Sequence, residues 1–135
     1  MKQIVVLGGG ISGYGSAILA KKKGFGVFLS DAGRIADRYK AKLDEWEVPY
    51  EEGGHTEERI LAATEVVKSP GIPDTAPMVR KIREAGIPVI SEMEFAGRYM
   101  GKAKCICITG SNGKTTTTSL IYKIMRDAGM NVALR

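Results

Sequence analysis

Ile4-Val5-Val6-Leu7-Gly8-Gly9-Gly10-Ile11-Ser12-Gly13 is the stretch on which the reading of the fold turns. Four consecutive apolar residues, three of them β-branched, read as a strand of a parallel sheet with helices packed on its faces. They run straight into a G-x-G-x-x-G pattern, and a helical stretch then extends to about Lys23. In such a turn Gly8 permits the tight bend, Gly10 lets backbone approach a diphosphate, and Gly13 lets the helix sit close to the strand. The exposed amides at the helix start supply an anion site. A second apolar run, Val27–Ser30, ends at Asp31, the place where an acid usually meets a nucleotide sugar. Strand Gln3–Leu7, helix and second strand together predict one complete βαβ unit. Taken alone, the glycine pattern reads as a dinucleotide site, with another nucleotide or a purely structural turn as open alternatives.

Outward from this unit, apolar runs keep alternating with helical periodicity. Ile35, Tyr39, Leu43 and Trp46 share one face of a predicted helix over Ile35–Trp46, which assigns Trp46 to the core. A short strand is expected near Val48–Glu51. Thr56 is placed to cap a helix carrying Ile60 and Leu61, which leads to a strand Glu65–Lys68. Two prolines make Ser69-Pro70-Gly71-Ile72-Pro73 a loop. Ala76–Ala85 reads as a helix with Met78, Val79, Ile82 and Ala85 on one side and Gly86 closing it. A strand Pro88–Ile90 and a helix Glu92–Met100 complete a pattern of class α/β, a Rossmann-like parallel sheet with flanking helices.

Gly101-Lys102-Ala103-Lys104 is short, polar and flexible, and divides the chain into domains 1–100 and 101–135. The second segment predicts a strand Cys105–Thr109, a glycine loop, and a helix from Lys114 to Ala128 with Leu120, Ile121, Ile124 and Ala128 facing inward. Gly129 caps that helix, and Asn131–Arg135 resembles the start of another strand. One strand and one helix cannot bury their own apolar faces, so this domain is expected to be truncated. Its residues are expected to dock on the first domain, to self-associate through the Cys105–Thr109 edge, or to be poorly ordered.

The composition of the 135 residues, 44% hydrophobic with 20 Lys and Arg against 15 Asp and Glu, is that of a globular protein with a net charge of +5. That charge favours polyanions without choosing among them. No basic stripe interleaved with aromatics is present, so nucleic acid is not an expected partner. The cluster Lys21-Lys22-Lys23 falls at a helix end, where cations meet the helix dipole. The apolar run before Gly8 is too short for a signal peptide, and nothing approaches the roughly 20 apolar residues of a membrane helix. No membrane association and a cytoplasmic location are therefore expected. Cys105 and Cys107 alternate with isoleucines and read as neighbours on one face of a buried strand, not as a metal or redox site. His55, the one histidine, follows Gly53-Gly54 and reads as a surface or capping residue.

The second chemical motif is Thr109-Gly110-Ser111-Asn112-Gly113-Lys114-Thr115-Thr116, again between a strand pattern and a helix. Gly110 and Gly113 permit a loop whose amides wrap phosphate, Lys114 brings a point charge to the terminal phosphates, and the Thr115 hydroxyl suits magnesium. Ile108 stands where the general G-x-x-x-x-G-K-[ST] pattern has its first glycine. Two phosphate loops in one chain suggest two nucleotides, whereas a redox enzyme needs only the first.

This combination resembles the Mur ligase family. The Thr109–Thr116 motif is similar to the family's ATP loop, which also lacks the early glycine. Ser69-Pro70-Gly71-Ile72 resembles a nucleotide-sugar loop of the D-glutamate-adding branch, and Ser91-Glu92-Met93-Glu94-Phe95 resembles its interdomain segment. Asn112 favours that branch over the L-alanine-adding one, which usually has histidine there.

The resemblance implies a full-length enzyme that uses ATP and Mg to join D-glutamate to UDP-N-acetylmuramoyl-L-alanine through an acyl phosphate. It implies that Ile11, Ser12, Gly13, Asp31 and Gly71 line the uridine diphosphate site. Gly110, Ser111, Asn112, Gly113, Lys114, Thr115 and Thr116 would hold ATP, with Lys114 catalytic in stabilising the transferred phosphoryl group and Thr115 on magnesium. The family often has a small polar residue and arginine directly after the acid; here Ala32 and Gly33 precede Arg34, which reaches for the diphosphate from one position later. The resemblance covers about the first third of such an enzyme, so the chain is expected to be inactive as a ligase. The rival reading is an NAD-binding domain of an oxidoreductase or dinucleotide sensor, which leaves the lysine-threonine loop unexplained.

Overall fold

Ile4, Val5, Val6 and Leu7 are each at most 2% exposed, because β1 (Gln3–Leu7) is the central strand of a five-stranded parallel sheet. The computed structural model describes residues 1–134. It divides the chain into two compact units, Met1–Gly101 and Lys102–Arg135. In the first unit the strands are β1, β2 (Gly26–Asp31), β3 (Tyr50–Glu52), β4 (Glu65–Lys68) and β5 (Val89–Ser91). Their order across the sheet is β3-β2-β1-β4-β5, and every neighbouring pair is parallel. The chain moves outward from β1 to β3, then returns to the other side of β1 to place β4. Strand order therefore reverses between β1 and β4, and ligands of such sheets bind in the crevice beyond the strand ends at that reversal.

Alternate residues of β1 serve opposite layers, as the two-residue period of a strand requires. Ile4 and Val6 pack with Ala17, Ala20, Leu29, Leu43 and Phe95, while Val5 and Leu7 pack with Phe28, Ile60, Val66, Val79 and Ile82. The first layer contains α1 (Ile11–Lys22), α2 (Asp37–Glu45) and α5 (Glu92–Gly97), and the second contains α3 (Glu57–Leu61) and α4 (Pro77–Glu84). The face α1 buries is made of Gly13, Ser16, Ala17 and Ala20, all small, which brings the helix close to the sheet. Trp46 packs on the first layer as expected, with the Lys22 ammonium 4.6 Å from its ring centroid.

Several boundaries differ from the sequence reading for identifiable reasons. Ile35 stays outside α2 because its N–H donates to Glu52 Oε2 at 2.7 Å, tethering the helix entrance to β3. β3 starts at Tyr50, whose register partner is Leu29, while the buried Val48 terminates α2 by donating its N–H to the Leu43 carbonyl. Thr56 holds the N-cap position of α3, but its hydroxyl donates to Glu51 Oε2 and caps nothing. The last helix of the unit, α5, ends at Gly97 and not Met100; Ser91 Oγ caps its start by accepting the Glu94 N–H at 3.1 Å.

The second unit departs further. α6 (Lys114–Asp127) forms, and Gly129, at φ +81°, ends it with the Met130 N–H returning to the Met125 carbonyl. Residues 105–109, however, form no strand, because a strand exists only through its ladder and no partner segment is found among the described residues. Cys105 and Cys107 do fall on one side, with Sγ atoms 3.6 Å apart, but both are exposed instead of buried. The expectation that the apolar side of α6 faces inward also fails: none of its residues is buried, and Leu120 and Ile124 are 56% and 67% exposed. Residues 131–134 form no strand, and Arg135 lies outside the described residues.

The two units should differ sharply in backbone protection. In native-state hydrogen exchange of the monodisperse monomer, the Val5 amide should exchange near the global unfolding limit and the Ile106 amide orders of magnitude faster. Equal protection at the two sites would contradict this assignment.

Candidate functional site

The loops after β1, β2 and β4 enclose a cleft of about 610 Å³ at the strand-order reversal. Gly8 and Gly10 form its floor, Asp31, Ala32 and His55 one wall, and Ser69, Gly71 and Ile72 with the start of α4 the other. Gly8 lies at φ +101°, and a Cβ there would be 2.8 Å from Ser69 Cβ, so glycine alone lets the two loops cross. Gly10 is the N-cap of α1, and a Cβ on it would meet nothing within 4 Å, leaving room for backbone to meet a ligand. The first helical bond of α1 is Tyr14 N–H to the Gly10 carbonyl. The amides of Ile11, Ser12 and Gly13 precede it and have no intrahelical acceptor, the arrangement that binds phosphate.

Of the residues expected to touch uridine diphosphate, Asp31 and Gly71 line the cleft. Ile11 and Ser12 are exposed on the first turn of α1, and Gly13 is buried beneath it. A Cβ on Gly13 would stand 1.9 Å from the Gly8 carbonyl oxygen. The Asp31 carboxylate is occupied within the protein: Oδ2 accepts the Gly9 N–H at 2.6 Å and Oδ1 the Gly33 N–H at 2.7 Å. It ties the glycine loop to the turn after β2. Arg34 does not line the cleft; its side chain is 80% exposed and its guanidinium is 3.8 Å from Asp37.

Sequence reasoning missed several lining groups. His55 is half-buried on the wall, not a plain surface residue, with Nδ1 2.6 Å from Ser30 Oγ. Its signal in the sequence was its place just past a parallel strand, where such sheets collect ligand contacts. Glu57 and Lys81 also line the cleft and pair with each other at 2.5 Å. Lys68 shapes the Ser69–Ile72 turn by donating to the Ile72 carbonyl at 2.6 Å. Burial pushes the Glu51 carboxyl up, but hydrogen bonds from Thr56 and Ser30 outweigh it and hold the group below its ordinary value.

In the second unit, Gly110 and Gly113 lie at φ +153° and +77°. Lys114, Thr115 and Thr116 open α6 with free amides, since the first helical bond is Thr117 N–H to the Gly113 carbonyl at 2.9 Å. Among the described residues Lys114 has no ion-pair partner, and no group of three or more His, Cys, Asp or Glu side chains is placed to hold a metal. The loop thus fits a phosphate chain, and Thr115 would provide a single oxygen to a magnesium bound mainly by that phosphate.

Two outcomes follow from this geometry. Gly13→Ala should lower the urea-unfolding free energy by about 3 kcal/mol or more, because backbone must move to admit the methyl group. A change below about 0.5 kcal/mol would contradict the packing described. Because Glu51 titrates lower when folded, its contribution is complete above the unfolded value and disappears as pH falls through the folded one. The urea midpoint should therefore drop as pH falls below 4.5, the ordinary glutamate value, and Glu51→Gln should flatten that drop.

Two stretches of the sequence match known protein families. Residues 2–91 match the model for "Mur ligase MurD-like, N-terminal domain", and residues 108–135 match "Mur ligase middle domain". The chain is 64% identical over 134 residues to the UDP-N-acetylmuramoylalanine–D-glutamate ligase of Bacteroides fragilis, and 56% identical over 131 residues to that of Porphyromonas gingivalis. These alignments cover 99% and 97% of the chain but 30% and 29% of the relatives, so the chain spans under a third of their length. Among solved structures, a murein peptide ligase from Psychrobacter arcticus superposes with a TM-score of 0.73 at 26% identity, over 96% of this chain and 27% of that one. UDP-N-acetylmuramate–alanine ligase from Thermotoga maritima shares the fold with a TM-score of 0.66 at 23% identity, over 96% of this chain and 30% of that one. With a family model matching across the whole sheet and its cleft, the chain belongs to the Mur ligase family.

Proposed function

We propose that the first unit binds the uridine diphosphate part of UDP-N-acetylmuramoyl-L-alanine, and that the second begins the ATP-binding domain of a ligase adding D-glutamate to it. The observation that carries this reading is the cleft at the β1–β4 reversal, floored by glycine backbone and facing the free amides of α1. A diphosphate would lie on Gly10, Ile11, Ser12 and Gly13, with the nucleoside toward Asp31 and the Ser69–Ile72 turn on the other side. In this assignment Asp31 acts chiefly by holding the glycine loop in its binding shape.

Lys114 would neutralise charge spreading over the phosphoryl group in transfer, and the amides from Gly110 to Thr116 would hold the ATP phosphates. Thr115 would hold magnesium through its hydroxyl, and the ion would supply positive charge that screens the ATP phosphates. Transfer of the terminal phosphoryl group of ATP to the muramoyl-alanine carboxylate would release ADP and give an acyl phosphate; attack by the D-glutamate amine would then expel inorganic phosphate and lose a proton as the amide forms. The use of a UDP-sugar and ATP as substrates supports a cytoplasmic activity. Among the described residues no helix is long and apolar enough to cross a membrane. The NAD-binding alternative is not adopted, since a redox site gives no role to the Lys114 loop and the family is one of ligases.

Calorimetric titration tests the assignment. UDP-N-acetylmuramoyl-L-alanine should bind saturably, Asp31→Ala should weaken it at least about tenfold by releasing the loop, and NAD should give no heat of binding. The chain should form no ADP in response to the muramoyl substrate. Tight NAD binding without a response to the UDP-sugar would overturn the assignment.

A further inference from the structure

Ser30, fully buried next to the last residue of β2, meets two groups with its hydroxyl: Glu51 Oε1 at 2.7 Å and His55 Nδ1 at 2.6 Å. A serine hydroxyl has one proton to give and two lone pairs. Glu51 acts only as an acceptor, since Oε1 also takes the Thr56 N–H at 2.7 Å and Oε2 the Thr56 hydroxyl. An ionised carboxylate captures the Ser30 proton in preference to the neutral Gly54 carbonyl at 3.5 Å. Ser30 can then offer His55 only a lone pair, so the hydrogen between them belongs to Nδ1. In the neutral ring this leaves Nε2 as a bare lone pair.

That atom is available to a ligand. The imidazole lines the cleft beside Asp31 and Ala32, Nε2 has no protein partner, and it is not among the buried polar atoms left unsatisfied. The neighbouring acids are otherwise engaged: each Asp31 oxygen accepts a loop amide, and Glu57 pairs with Lys81. His55 therefore presents at this wall of the cleft a ring nitrogen with no protein partner, beside carboxylates that already hold hydrogen bonds or an ion pair.

We propose that His55 is a specificity residue that accepts, through Nε2, a hydrogen bond from an N–H or O–H donor of the bound uridine, either the imide of the base or a ribose hydroxyl. This rests on the nucleotide-sugar reading of the cleft. An acceptor here suits uracil, whose N3 carries hydrogen, and rejects cytosine, whose N3 presents a second lone pair. A contact to the ribose would instead separate ribonucleotides from deoxyribonucleotides.

The test is calorimetric titration of the 135-residue chain with UDP, CDP and 2′-deoxy-UDP. His55→Asn keeps an N–H where Nδ1 meets Ser30 and removes Nε2. It should leave the urea midpoint nearly unchanged and weaken UDP about tenfold. The selectivity over CDP should collapse if the contact is to the base, and the selectivity over 2′-deoxy-UDP if it is to the ribose. His55→Gln, which returns an amide oxygen near the Nε2 position, should restore part of whichever selectivity was lost. Equal weakening of all three ligands would reduce His55 to a structural support and overturn the proposal, as would unchanged binding. A native chain that binds none of the three would overturn the underlying reading of the cleft instead, and this inference with it.

Discussion

Only a hydrogen atom fits on Gly13 where α1 passes the Gly8 carbonyl, since a Cβ would come within 1.9 Å of that oxygen. The rest of the first unit depends on this close approach. It seats the small face of α1, Ser16, Ala17 and Ala20, on the sheet. It also places the free amides of the helix start beside the loop crossing at Gly8 and Ser69, so one backbone constraint sets both the packing of a layer and the position of those amides above it. The central position of β1 has the same root, because a strand flanked by β2 and β4 must be covered on both faces.

Around that crossing the acidic side chains act as ties between segments. Asp31 joins the glycine loop to the turn after β2, Glu52 holds the entrance of α2 through the Ile35 amide, and Glu51 gathers Ser30 and Thr56. Each accepts backbone or hydroxyl hydrogens that would otherwise be left unpaired near the cleft, at a cost of roughly 1–3 kcal/mol apiece. Carboxylates so employed shape the cleft by holding its loops together. His55 differs from them because its bond to Ser30 orders the ring and leaves its other nitrogen unengaged.

The two units show what a parallel sheet requires. In the first, five strands pair and two layers of helices bury Val66, Val67, Val79, Ile82 and Phe95 completely. In the second, Cys105–Thr109 has strand composition but no ladder among the described residues, and α6 has an apolar side with nothing buried on it. Helical hydrogen bonds are satisfied locally, so α6 forms from its own residues, whereas a strand waits for a neighbour. Residues 108–135 match the family model of a Mur ligase middle domain, and the relatives are more than three times as long as this chain.

Local chemistry was legible from the sequence alone. The alternation of Ile4 to Leu7 with a glycine turn, the proline-bounded loop at Ser69–Pro73, the glycine stops at Gly86 and Gly129, and the loop from Thr109 to Thr116 each follow from nearby residues. These features gave away the α/β class, most of the element order in the first unit, and the position of the two glycine loops. What the tertiary structure alone decided were matters of long-range pairing: that Asp31 turns its carboxylate onto Gly9, that Lys81 reaches Glu57, and that Ser30 bridges Glu51 and His55. It likewise decided that residues 105–109 form no strand. Periodicity and turn propensity report the free energy of a few adjacent residues. The partner of a side chain or strand edge is chosen by segments the sheet brings together from distant parts of the chain, and no local pattern encodes that choice.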